Sequence, residues 1–128
     1  MNDRKTILIV EDERITADSL RIILQREGYN AMVAYSGEDA VSQLAAAQPD
    51  LLLIDMILPG MDGMEVAQAA CAALPSCRIL LFSGQAAASD LLEKGRTQGQ
   101  SFPILAKPIP PPQLLQRIGE MLSSHSNG

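Results

Sequence analysis

Five short apolar runs, each followed by a stretch with helical spacing, narrow this chain to one class of fold. The runs at 7–10, 31–34, 51–54, 79–82 and 102–106 are strand-length, apolar and without polar alternation. Such runs are those of parallel strands buried on both faces. After the first, Ile15, Leu20, Ile23 and Leu24 recur at near-helical spacing as far as Gly28, a suitable C-terminal stop. Ser36-Gly37-Glu38-Asp39 opens a second helix, with Val41 and Leu44 facing inward, that ends before Pro49. Segments 64–74, 86–94 and 113–122 read as further helices, with a polar, flexible stretch at 95–100 and a Pro-rich turn at 108–112. Five strand–helix alternations predict an α/β doubly wound fold, with right-handed crossovers and a five-stranded parallel sheet covered on both faces.

The 128 residues are one domain's worth, with a core over about 5–122 and a frayed tail at 123–128. Aromatic residues are only 3 %, so the core is aliphatic. A net charge of −5, with no cluster of Lys and Arg, argues against a nucleic-acid partner. Cys71, Cys77 and His125 form no zinc ligand set, and the cysteines read as buried or half-buried thiols in a reducing, cytoplasmic setting. The N-terminal MNDRK is no signal peptide, and no apolar run is long enough for a membrane span.

In open parallel sheets the ligand site lies beyond the C-terminal ends of the strands. Here the first strand ends in Glu11-Asp12, the third in Asp55, the fourth in Ser83 and the fifth in Lys107. Each has an ordinary explanation taken singly. Asp12 can cap a helix, Asp55 and Ser83 can sit in turns, and Lys107 can lay its stem on apolar surface with its charge in water. Together they gather polar groups at one edge of the sheet. Three carboxylates there repel one another, and a hard divalent cation relieves the repulsion. Mg²⁺ suits such a site, since it takes one or two carboxylates and completes its shell with water and phosphate oxygens. Phosphoryl transfer asks mainly for positioning and charge neutralisation, which Lys107 and Ser83 can supply.

The segments ILIVEDE (7–13), LLLIDMILPGMDG (51–63), LLFSG (80–84) and LAKP (105–108) together resemble the receiver domain of two-component response regulators. The resemblance spans roughly residues 5–122 and is that of a stand-alone receiver. It implies a flavodoxin-like (βα)5 fold with strand order 2-1-3-4-5. It implies that Asp55 accepts a phosphoryl group from a phosphohistidine, and that Asp12, Asp55 and the Ile57 backbone carbonyl hold Mg²⁺, with Glu11 acting through a water. Ser83 and Lys107 then bind the phosphoryl group, and the Lys107–Pro108 bond is cis. The loop marked by Pro59, Gly60, Asp62 and Gly63 belongs to the same motif. The implied partners are a sensor histidine kinase or histidine phosphotransfer protein upstream and a protein target downstream. The protein would be an acceptor that dephosphorylates itself, not a turnover enzyme.

Three places depart from the family pattern. Ile104 stands three residues before Lys107, where the family often has an aromatic, so the output surface is expected to respond by a loop or helix shift. Segment 93–101 is longer and more polar than usual and reads as a flexible loop, with an altered partner-binding surface as the alternative. Ile57 and Gln85 occupy positions that in the family influence loss of the phosphoryl group, and a bulky Ile57 predicts a long-lived phospho-form. Two other readings compete. A haloacid-dehalogenase-type phosphatase needs an acid two residues after its nucleophile, where this chain has Ile57. A phosphorylation-independent pseudo-receiver would not need the full set of Glu11, Asp12, Asp55, Ser83 and Lys107.

Overall fold

A computed structural model describes residues 4–84, 102–107 and 109–126, without the side chains of 124–126. The strands are β1 (Thr6–Val10), β2 (Asn30–Ala34), β3 (Leu51–Asp55), β4 (Arg78–Gly84) and β5 (Ile104–Lys107). They form one parallel sheet in the order β2-β1-β3-β4-β5. The helices are α1 (Arg14–Arg26), α2 (Gly37–Ala47), α3 (Gly63–Ala73) and, near the C-terminus, a helix here labelled α4 (Pro111–Ser126). The helix expected at 86–94, the polar stretch at 93–101, Gln85 and Pro108 lie outside the described residues.

The two faces of the sheet carry separate cores. Leu8, Val10, Leu52, Ile54, Ile79 and Leu81 pack against Ala40 and Leu44 of α2 and Val66, Ala67 and Ala70 of α3. Ile7, Ile9, Leu51, Leu53, Leu80 and Phe82 pack against Leu24 of α1 and Leu114, Ile118 and Leu122 of α4. The period-2 geometry of a strand deals its side chains alternately to these two layers, which is why the central residues of β1, β3 and β4 are apolar on both faces. Each fully buried Leu or Ile contributes roughly 1.5–3 kcal/mol of burial.

Local chemistry sets the helix ends. Ser36 Oγ accepts the Asp39 amide at 3.0 Å, capping α2. Asp62 and Glu65 form a reciprocal capping box at the start of α3. Gly28 closes α1 at φ +98°, a conformation that a side chain would strain.

Several expectations need correction. Ile15 is 82 % exposed, because the buried stripe of α1 runs through Ala17 and Leu24; the five-residue step from Ile15 to Leu20 puts Ile15 off that stripe. In α2, Leu44 is buried as expected, together with Gly37 and Ala40, but Val41 is only half-buried. Cys71 is exposed and only Cys77 is buried. β5 begins at Ile104, after Pro103, which has no amide to give a ladder, although its carbonyl still accepts the Leu81 amide at 2.9 Å. α4 begins within the proline run, at Pro111, where a first-turn proline forfeits no helical hydrogen bond. It also continues to Ser126, through most of what the sequence marks as a tail.

Candidate functional site

β1, β3, β4 and β5 all end at the same edge, and the residues at their ends line an open cleft of about 310 Å³. Glu11, Asp12, Glu13, Asp55, Ile57, Ser83, Gly84 and Lys107 form its walls. The strands are held in step here by backbone bonds: the Glu11 amide donates to the Ala34 carbonyl at 3.1 Å and the Met56 amide to the Phe82 carbonyl at 3.0 Å. A rigid sheet thus fixes where each chain turns outward.

Oxygen atoms of Glu11, Asp12 and Asp55 lie within 4.8 Å of one another. Glu11 and Asp55 are buried, and Asp12 is exposed. Lys107 Nζ donates to Asp55 Oδ2 at 3.0 Å and to Glu11 Oε1 at 3.3 Å. The second oxygen of each buried carboxylate takes a backbone amide: Glu13 N–H donates to Glu11 Oε2 at 3.0 Å and Ile57 N–H to Asp55 Oδ1 at 3.0 Å. Burial pushes the Glu11 carboxyl up to about 7, with the Asp55 charge adding to the rise while the Glu13 amide and Lys107 oppose it. Burial alone would lower the Lys107 ammonium, but Asp55 and Glu11 together outweigh it and hold it above its ordinary value. Four carboxyl groups and one ammonium are among the described residues that line the cleft.

Three single-residue explanations fail on this geometry. Asp12 does not cap α1; the cap position is Glu13, which makes no side-chain capping bond. Lys107 does not send its charge to open water, since its ammonium is paired twice. Ser83 is 1 % exposed and, among the described residues, its Oγ has no hydrogen-bond partner. A buried hydroxyl without a partner costs about 1–3 kcal/mol, so its retention calls for an explanation beyond a turn.

The loop after β3 builds the site from behind. Ile57 turns its side chain out, 64 % exposed, at the rim. Pro59, Gly60, Asp62 and Gly63 shape the loop and do not line the cleft. The Gly63 amide donates to the Met56 carbonyl at 3.1 Å. A Cβ on Gly63 would stand 2.5 Å from the Asp55 carbonyl oxygen, so no other residue closes the loop this tightly. Gly60, at φ +72°, lies against Glu38, whose Oε2 accepts the Met61 amide at 3.2 Å and ties the loop to α2. Ile104 sits half-buried against the α2/α3 core and away from the cleft.

Sequence reasoning missed three contributors. Glu13 lends its amide to Glu11 and helps to line the cleft, and its place beside the acidic pair was the available signal. Glu38 clamps the loop, and nothing in the sequence pairs it with residue 61. Phe82 places its ring 4.9 Å from Lys107 Nζ, with no sequence signal beyond its position before Ser83.

The arrangement can bind a divalent cation. Two buried carboxylates and an exposed one converge with a single ammonium to balance them, and all the donors are oxygens, as Mg²⁺ prefers. Comparison with known proteins identifies the family. The model of the response regulator receiver domain family matches residues 7–119. A receiver domain protein (CheY-like) from Methanospirillum hungatei JF-1 superposes with a TM-score of 0.87 at 28 % identity, over 98 % of both chains. The signal receiver domain of a modulated diguanylate cyclase from Desulfovibrio desulfuricans G20 gives a TM-score of 0.82 at 30 % identity, over 97 % of this chain and 98 % of the other. Chemotaxis protein CheY4 of Vibrio cholerae shares the fold, with a TM-score of 0.81 at 24 % identity, over 91 % of this chain and 98 % of that one.

Proposed function

This chain belongs to the response regulator receiver domain family of two-component signalling, and on that footing we propose that it accepts a phosphoryl group on Asp55 from a phosphohistidine. The observation that carries the proposal is the Lys107 ammonium, seated 3.0 Å from Asp55 Oδ2 in a cleft that also holds the carboxylates of Glu11 and Asp12.

An Asp55 carboxylate oxygen attacks the phosphorus, an O–P bond forms and the N–P bond to the donor imidazole breaks. The imidazole leaves with the electron pair and takes up a proton. Negative charge accumulates on the phosphoryl oxygens, and Lys107 is placed to pair with one of them as its hold on Asp55 Oδ2 is released. The Ser83 hydroxyl, without a partner among the described residues, would donate to another. Asp12, Asp55 and the Ile57 carbonyl would hold Mg²⁺, with Glu11 acting through a water. When bound, the ion supplies the positive charge that lets an anionic donor approach an anionic acceptor.

The product is an acyl phosphate on the protein itself, so the chain is an acceptor and not a turnover catalyst. Water removes the group slowly, because the Ile57 side chain stands at the rim of the cleft. The donor is a sensor histidine kinase or histidine phosphotransfer protein, and the reader is a protein that recognises the altered surface. No described helix is long and apolar enough to cross a membrane.

Incubation with acetyl phosphate and Mg²⁺, followed by intact mass measurement, tests the reading. A gain of one phosphoryl group, absent in Asp55→Ala, is the expected result. An unchanged mass in the wild-type protein would leave a receiver fold used only for binding.

A further inference from the structure

The Lys107 stem is about one-third exposed, so burial alone does not fix where its ammonium sits. Two carboxylates attract it from one side. Close by lies the ring of Phe82, with its centroid 4.9 Å from Nζ. That is within the roughly 6 Å over which an aromatic face attracts a cation.

The strand register explains how these groups meet. Asp55 is the Cα partner of Phe82, and Lys107 is the partner of Gly84, two residues further along β4. Partners in register, and residues two apart, share a face of the sheet. Asp55, Phe82 and Lys107 therefore project to the same side, and Gly84 carries no side chain to come between them. The chain has only two Phe residues, and this one is 2 % exposed in the α1/α4 core. It also forms part of a second cleft of about 450 Å³, with Thr16 and Leu20 of α1, Lys107, Ile109 and Leu114 of α4.

We infer that Phe82 is a positioning residue for Lys107: its ring face, on the strand between those of Asp55 and Lys107, offers the ammonium a second attraction and holds it where an incoming phosphoryl oxygen can take it. A leucine at position 82 would fill much of the same core space but offer no negative ring face. The ammonium would then be free to settle more closely between the carboxylates and would be withdrawn less readily. This role deepens the phosphoacceptor reading and rests on it for its consequence, although the contact itself does not.

Two measurements on Phe82→Leu and Phe82→Tyr test the inference. The first is the proton–carbon NMR spectrum of the protein without Mg²⁺ or phosphoryl donor. The ε-methylene of Lys107 should lie upfield of that of Lys5 in the wild type and in Phe82→Tyr, and lose the shift in Phe82→Leu. The second is the rate of mass gain with acetyl phosphate and Mg²⁺. Phe82→Leu should react about threefold to tenfold more slowly, while Phe82→Tyr stays near the wild-type rate. An unshifted Lys107 signal in the wild type overturns the inference, as does equal slowing of both variants, which would mark Phe82 as mere packing. If Phe82→Leu fails to fold, the wild-type and Phe82→Tyr spectra and rates still decide. A wild-type protein that gains no mass at all defeats the phosphoacceptor reading instead, and the Lys107 resonance then decides the contact alone.

Discussion

Lys107 is the one cation among the described residues that line the candidate site, and both buried carboxylates lean on it. Lys107→Ala leaves Glu11 and Asp55 facing each other without that counter-charge. Breaking a buried ion pair costs about 3–5 kcal/mol, but Lys107 is partly open to solvent and water screens the change. A loss of about 1–2 kcal/mol is expected by urea unfolding in Mg²⁺-free buffer, shrinking when Mg²⁺ is added. At the rim, Ile57→Asn should shorten the lifetime of the phospho-form by admitting water; a wild-type half-life of only seconds in Mg²⁺ would contradict the shielding assigned to Ile57. The two thiols give a check independent of phosphorylation. Burial, aided by the neighbouring Cys71 and Asp50, pushes Cys77 from an ordinary 9.0 up to about 12. Its share of folded-state stability is in place below pH 9 and drains away as the pH rises toward 12. At pH 8 iodoacetamide should therefore modify exposed Cys71 quickly and Cys77 only once denaturant opens the fold. Glu11, Asp12, Asp55, Ser83 and Lys107 could all be found in the sequence because each ends a strand. Phe82 and Glu38 could not, because their contacts depend on three-dimensional placement that no local pattern encodes.

The loop between β3 and α3 is the part of the backbone most tightly prescribed. It must leave the sheet at Asp55, turn, and start a helix within eight residues of it, at Gly63. Gly63→Ala places a methyl group against the backbone of Asp55 and Met56, and a loss of about 2 kcal/mol or more is expected by thermal or denaturant unfolding. Asp62→Ala removes half of the capping box and should cost about 1 kcal/mol by the same measurement, without altering the cleft. Where apolar runs met clear stops, the sequence placed the elements to within a residue or two, as for β1, β3 and α3. It failed where proline sent mixed signals. Pro103 sits in an apolar run yet outside the strand, and Pro111 sits in what looks like a turn yet begins α4. Proline removes a donor and fixes one dihedral, and which of those matters depends on the partner strand or helix.

The order β2-β1-β3-β4-β5 places β1 and β3 side by side at the centre of the sheet, so the acidic pair that follows β1 meets the aspartate that ends β3. The architecture was legible from alternation alone, whereas the strand order came from the family resemblance, because periodicity does not say which strands are neighbours. On the proposed reading, Mg²⁺ binds the folded state and not the unfolded chain, and should stabilise it by about 1.4 kcal/mol at ten times its Kd. A thermal-shift series should show that rise for the wild type and little of it for Asp12→Asn. The most direct measurement is chemical. Protein treated with acetyl phosphate and Mg²⁺ is reduced with borohydride, which converts an aspartyl phosphate to homoserine, and the peptides are sequenced by mass spectrometry. Homoserine at position 55 is the predicted result; homoserine at another aspartate, or at none, would contradict the assignment of Asp55 as the acceptor.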